Sequence, residues 1–225
     1  VGPGAKAGGP NYVASFLDWE EQACPQMQTA LPTSVQQLVA RLSEILSTDQ
    51  EREALRAAAG SYFYWWTHHF SKEHDPSNLQ GETNQFRYRP HAFHWVRSEN
   101  QLDSLVDLSR CALACGIAGI QLELSLNEMP NWSERVTNNT EVEIYVESTS
   151  QFVERISGLS TGCIRFLEKE IPTILYSLKT MGRKMITSNC MLNGRIEWHN
   201  YLLEQSVTET VHRHGNLTPP RKSLK

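Results

Sequence analysis

The chain has 225 residues, 40% hydrophobic and 20% charged, with a formal net charge of −4. That balance excludes wholesale disorder and offers no basic surface to nucleic acid or to an anionic membrane. No run of about 20 apolar residues occurs, so no integral membrane segment is expected. Five widely spaced cysteines without a secretory signal predict reduced thiols and a cytoplasmic protein.

The chain begins Val1-Gly2-Pro3-Gly4-Ala5-Lys6-Ala7-Gly8-Gly9-Pro10. Such a stretch reads as a loop that needs a larger body to hold it, so the chain is expected to be the C-terminal piece of a longer protein. Residues 13–75 then read as helical. Thr33-Ser34 offers an N-cap to a helix whose apolar stripe is Val35, Leu38, Val39, Leu42, Ile45 and Leu46. Thr48-Asp49 starts a second helix, with Glu51 and Glu53 in its first turn, where the helix dipole favours acids. Gly60 weakens its far end. The run Tyr62-Phe63-Tyr64-Trp65-Trp66 that follows cannot all face one core, which points to contact with another domain or chain.

Residues 71–82 are polar and read as a loop. Beyond them strands and helices alternate. Phe86-Arg87-Tyr88 and Phe93-His94-Trp95-Val96 are strands separated by Pro90, and residues 100–115 form a helix ended by Gly116. Residues 120–124, 142–146, 163–167 and 185–187 are further strands. Helices fall at 131–137, at 150–156 and from Pro172 to about Met181. This order predicts an α/β fold: a Rossmann-like, mostly parallel sheet with helices on both faces, preceded by a helical segment.

A Rossmann-like sheet raises a dinucleotide reading, which needs a glycine-rich turn after the first strand. No such turn is present, because Gly116 and Gly119 precede a strand instead of following one. Cys163 opens an apolar strand, where a thiol is buried and inert. Cys111 and Cys115 share a helix face but have no second ligand pair at metal spacing. His91 and His94 are placed to face opposite sides of a strand. No catalytic, cofactor-binding or metal-binding residue is therefore assigned.

Two segments carry a family resemblance. Gly2 to Tyr12 is similar to the stretch that closes the semialdehyde dehydrogenase domain within the aldehyde dehydrogenase superfamily. Gly194-Arg195-Ile196-Glu197-Trp198-His199-Asn200-Tyr201-Leu202-Leu203-Glu204-Gln205-Ser206, with His212-Arg213-His214-Gly215-Asn216, resembles the C-terminal motif of the long forms of the proline utilization A family. Between them, Gly81 to Asn84 and Phe86 to Pro90 resemble the entry into that family's extra C-terminal domain.

The resemblance implies a division into residues 1–12 (end of an upstream dehydrogenase domain), 13–75 (helical segment), 76–192 (Rossmann-like, aldehyde dehydrogenase-like domain) and 193–225 (docking motif and tail). It implies a parent enzyme oxidising proline to glutamate with FAD and NAD, neither held by this fragment. The extra domain would be a non-catalytic lid over a channelling tunnel. Its partners would be the remaining domains of the parent chain, with a homodimer as a second assembly. An oligomerisation module, or a small enzyme with a degenerate nucleotide site, are the alternatives. The motif residues singled out are Gly194, Arg195, Glu197, Tyr201, Leu202, Glu204, Gln205, Ser206, His212, Arg213, Gly215 and Asn216. Arg195-Ile196-Glu197 is expected to be extended, Leu202 to Ser206 helical, and Arg195 and Arg213 to grip carboxylates.

Overall fold

A computed structural model describes residues 13, 30–75, 77, 82–99, 102, 105–159, 162–167, 183–210, 212–213 and 216–217. The glycine-rich start, the helix expected after Pro172, Gly215 and the basic tail lie outside these residues.

The helical segment opens with α1 (Thr33–Glu44), which buries Val35, Val39 and Leu42 along one stripe. Its N-cap is Pro32, one residue before the expected Thr33-Ser34, and no side chain caps it. Helix α2 (Asp49–Trp65) starts as the sequence predicts: the Thr48 hydroxyl and the Glu51 carboxylate cap each other's backbone amides in a capping box. It passes through Gly60 without a break and continues into a wider π-type turn, Trp66–Phe70. The packing of Tyr62, Phe63 and Trp66 on the core outweighs the intrinsic weakness of glycine in a helix.

Two strands follow, the short β1 (Glu73–His74) and the longer β2 (Glu82–Pro90). The segment expected as a loop thus holds a strand that pairs antiparallel with β2.

The centre of the molecule is a five-stranded sheet of β3 (Phe93–Ser98), β4 (Gln121–Leu126), β5 (Glu143–Val146), β6 (Gly162–Phe166) and β7 (Lys184–Ile186). All neighbours pair in parallel, in the spatial order β5-β4-β3-β6-β7. Counted along the chain, that is 3-2-1-4-5, the order of a Rossmann-type sheet, with its switch point between β3 and β6. Strands β3, β4 and β6 are covered on both sides, and β6 has no exposed residue.

Among the described residues, three helices connect these strands: α3 (Val106–Ala118), α4 (Ser133–Asn139) and α5 (Thr149–Ser157). Helix α3 lies between the sheet and the pair α1/α2, and is buried from Leu108 to Cys115 without a polar face. It ends three residues later than expected. Gly119, not Gly116, adopts the left-handed conformation (φ 70°) that stops it. Gly116 sits inside the helix where Leu38 of α1 packs, its methyl 2.6 Å from where a β-carbon would stand. Helix α5 covers the opposite face, with Phe152 and Ile156 on Trp95, Ile164 and Phe166.

The C-terminal part departs most from expectation. Gly194–Glu197 is a helical turn, α6, which continues as a 3₁₀ turn over Trp198–Asn200. Leu202–Thr210 is a strand, β8, paired antiparallel with β2 from Glu82↔Thr210 to Pro90↔Leu202. Helix and strand are therefore exchanged relative to the sequence reading. The Asn193 side chain caps the Arg195 amide at 3.0 Å and so starts a turn where an extended segment was expected. The nine-residue ladder to β2 then holds Leu202 to Ser206 extended. Two more short strands, β9 (His212–Arg213) and β10 (Asn216–Leu217), pair with each other.

Candidate functional site: the junction of the C-terminal motif and the sheet

The predicted motif residues from Gly194 to Gln205 meet the interior of this same chain. Gly194 lies against the backbone of α2: a β-carbon there would stand 2.8 Å from the Ser61 carbonyl oxygen and 2.9 Å from Tyr62 Cα. Only glycine allows the Gly194 amide to donate to Ser61 Oγ at 2.9 Å. One turn on, Trp198 Nε1 donates to the Tyr62 carbonyl (2.9 Å), and Tyr62 Oη returns a bond to the Met191 carbonyl (2.7 Å).

Glu197 is the charged centre of the junction. Its carboxylate pairs with Arg165 of β6, with side-chain exposures of 1% and 0%. Its second oxygen accepts from the Met191 amide at 2.8 Å, and Arg165 also donates to the Ser188 carbonyl at 2.8 Å. Burial pushes the Glu197 carboxyl up and outweighs the pull of Arg165.

Tyr201 stacks on His94 of β3, rings 4.5 Å apart, and its carbonyl accepts from the His91 amide at 3.0 Å. Burial holds His91 down at about 4, with Lys184 adding repulsion. His94 is lowered further by burial, then by Arg165, His91 and Lys184. His199 is likewise held at about 4 by burial and by Lys184 and Arg195. All three imidazoles are therefore neutral, which leaves Arg165 and Glu197 as opposite charges at the centre. Lys184, lowered mainly by burial, donates to the His199 carbonyl at 2.5 Å.

Leu202 and Glu204 are buried, Gln205 accepts from Arg87 at 2.7 Å, and Ser206 is exposed. Among the described residues no carboxylate pairs with Arg195, whose guanidinium lies 4.7 Å over the Trp65 ring. His212 and Arg213 lie on β9 and Asn216 on β10, away in sequence from the buried turn.

The aromatic run is taken up by the same junction. Tyr62 and Trp66 face Trp198 at 6.1 and 4.9 Å, Tyr64 stacks on His68 at 4.3 Å, and Phe63 packs on the core. The turn at 194–200, unrecognised as a helical plug from sequence, covers part of this run through Trp198 and Arg195, while Phe63, Tyr64, Trp65 and Trp66 stay half-buried.

A second polar cluster lies on the other face of the sheet. Arg155 of α5 bridges Glu123 (2.5 Å) and Glu147 (2.7 Å) and lies 3.9 Å over the Tyr145 ring. Trp95 Nε1 also donates to Glu123, at 2.9 Å. Arg97, fully buried, donates to Ser125 Oγ and the Glu147 carbonyl (both 2.9 Å) and to Asn127, and lies 3.6 Å from Glu99. This cluster stands at the carboxyl ends of β3, β4 and β5, next to the switch point where a Rossmann-type sheet meets its ligand. Burial raises Glu147, but Arg155 and Ser125 outweigh it and hold the carboxyl below its usual range.

Sequence reasoning missed both clusters. A signal was present: Arg97 and Arg165 are cations inside apolar strands, and a central strand tolerates such a charge only with a partner. Arg165 finds Glu197 32 residues away and Arg155 finds Glu123 32 residues away, too far for any local pattern, although Arg155 and Glu147 are only 8 apart. Among the described residues no group of three or more metal-ligating side chains is assembled, and no helix is long and apolar enough to cross a membrane.

Fold and junction together define a Rossmann-like α/β domain with a plugged helical face. No protein-family model matches the chain, and no curated protein sequence matches it. Among solved structures it is similar to Proline Utilization A (PutA) from Corynebacterium freiburgense, with 28% identity and a TM-score of 0.66. The likeness covers 96% of this chain and 18% of that protein, so the chain spans under a fifth of the length of the relative it matches. The chain is thus similar in structure to a part of that protein.

Proposed function

We propose that the chain is a non-catalytic C-terminal domain of a bifunctional enzyme oxidising proline to glutamate, serving as a lid over the tunnel between the two active sites and as an assembly element. The likeness to Proline Utilization A across nearly the whole chain carries this reading. The chemistry at the carboxyl edge of the sheet supports it. Arg97 and Arg155, the cations near the ends of β3, β4 and β5, are already engaged by Glu99, Glu123 and Glu147, so they are not at hand for the pyrophosphate that a dinucleotide would bring. The segment Glu99-Asn100-Gln101-Leu102-Asp103-Ser104-Leu105 contains no glycine to let a backbone approach phosphate. FAD and NAD are then bound by the rest of the parent, and the cytoplasm is its compartment.

The test is a coupled assay on the full-length protein with residues 193–217 removed. The expected result is that each half-reaction keeps its rate, while NADH formation from proline acquires a lag. Normal coupling with a lost dimer would replace the lid reading with an oligomerisation module. Micromolar NAD binding to residues 30–217, seen by calorimetry, would overturn the non-catalytic reading.

A further inference from the structure

Cys111 lies in the middle of α3, and Cys190 lies 79 residues further on, in the strap between β7 and α6. Their sulfurs are 3.3 Å apart and both side chains are fully buried. The strap is held to its surroundings around this point: Arg110 donates to the Cys190 carbonyl at 2.7 Å, and Tyr62 and Glu197 bind the two sides of Met191. A disulfide requires sulfurs about 2.05 Å apart, so closure asks for a further approach of about 1.3 Å.

The surroundings also differentiate the two thiols. Burial raises Cys111, but the hydrogen bond from Cys190 and the Arg165 guanidinium outweigh it and bring the net shift below the ordinary range. Cys190 is pushed well up by burial. One sulfur is thus biased toward thiolate, the attacking form, and its neighbour keeps its proton. Access comes from the strap: Thr187, Ser188 and Asn189, directly before Cys190, are exposed, so local opening of this short segment bares both sulfurs.

We propose that Cys111 and Cys190 form a reversible disulfide on two-electron oxidation by hydrogen peroxide, which staples the strap to α3. The Cys111 sulfur attacks one peroxide oxygen; the S–O bond forms, the O–O bond breaks, and one water leaves. The Cys190 sulfur then attacks the resulting sulfenic acid; the S–S bond forms, the S–O bond breaks, and a second water carries off the hydroxyl and the Cys190 proton. Two thiols and one peroxide give one disulfide and two waters, and a dithiol reductant reverses the step. Cys115 and Cys163, also buried, are both pushed up, so they are the poorer nucleophiles. This inference is independent of the lid reading.

The experiment treats the full chain with hydrogen peroxide, blocks remaining thiols under denaturing conditions, and maps peptides without reduction. The expected product is a linked pair carrying Cys111 and Cys190, two hydrogens lighter than the sum, which dithiothreitol separates. Oxidation also raises Tm by about 10 °C, as a loop of this length predicts, and Cys190→Ala abolishes that rise. If Cys190→Ala fails to fold, Cys111→Ser takes its place, and the wild-type peptide map decides alone if both fail. Recovery of Cys111 and Cys190 as separately blocked thiols or sulfinic acids, or cross-linking of a different pair, overturns the proposal.

Discussion

The guanidinium of Arg165 and the carboxylate of Glu197 meet with side-chain exposures of 0% and 1%, one on the central sheet and the other on the C-terminal turn. Breaking such a pair leaves one uncompensated charge in the interior. Glu197→Leu or Arg165→Met is therefore expected to cost about 3–5 kcal/mol in urea unfolding. The double variant should recover most of that loss, because no charge is then stranded. Equal losses for single and double variants would mean the pair's value lies in packing.

Stability should decline in mild acid. His91 and His199 titrate near 4 in the folded chain against 6.5 when unfolded, mainly because they are buried, and His94 lies well below. Between these values the unfolded state binds more protons, so stability is full above about pH 6.5 and is lost as pH falls toward 4. Each histidine contributes a slope of up to about 1.4 kcal/mol per pH unit in that interval. Urea midpoints from pH 7 to 4 measure it, and His91→Gln should make the slope shallower.

Gly194 and Gly119 are both expected to resist alanine, for different reasons. At Gly194 the new methyl meets the α2 backbone at 2.8 and 2.9 Å, and overpacking of this kind costs about 1–3 kcal/mol. It should also disturb Trp198, whose indole bonds to the next residue of α2, giving a fluorescence change. At Gly119 the space is open, and the left-handed backbone alone costs about 1–2 kcal/mol. No fluorescence change is expected there.

Arg155→Met should strand Glu123, whose side chain is 4% exposed. A loss of about 3 kcal/mol is expected. Arg155→Lys should recover less than half of it, since one ammonium cannot span two carboxylates as the planar guanidinium does. Thermal unfolding of the three proteins tests this order.

The α/β class was legible because its signals are local. Alternating strands and helices, the Thr48–Glu51 cap and the stripe through Val35, Val39 and Leu42 each fit within a dozen residues. The C-terminal segment was misread for the same reason in reverse. Leu202 to Ser206 is extended because β2, about 120 residues earlier, supplies its hydrogen bonds, and Arg195 to Glu197 turns because Asn193 caps it. Gly116 and Gly119 were both plausible stops, and only backbone conformation separates them. The junction itself was invisible, because Arg165, Glu197, Cys111 and Cys190 come together solely through tertiary folding.

The pairing of β2 with β8 sets an order of events on the ribosome. Strand β6 and helix α2 are synthesised long before the turn that neutralises Arg165 and covers Trp66. Until residues 194–210 emerge, the nascent domain carries an uncovered aromatic face and an unmatched cation. A domain that stops short of that segment is thus expected to fold more slowly and to open more readily to a protease.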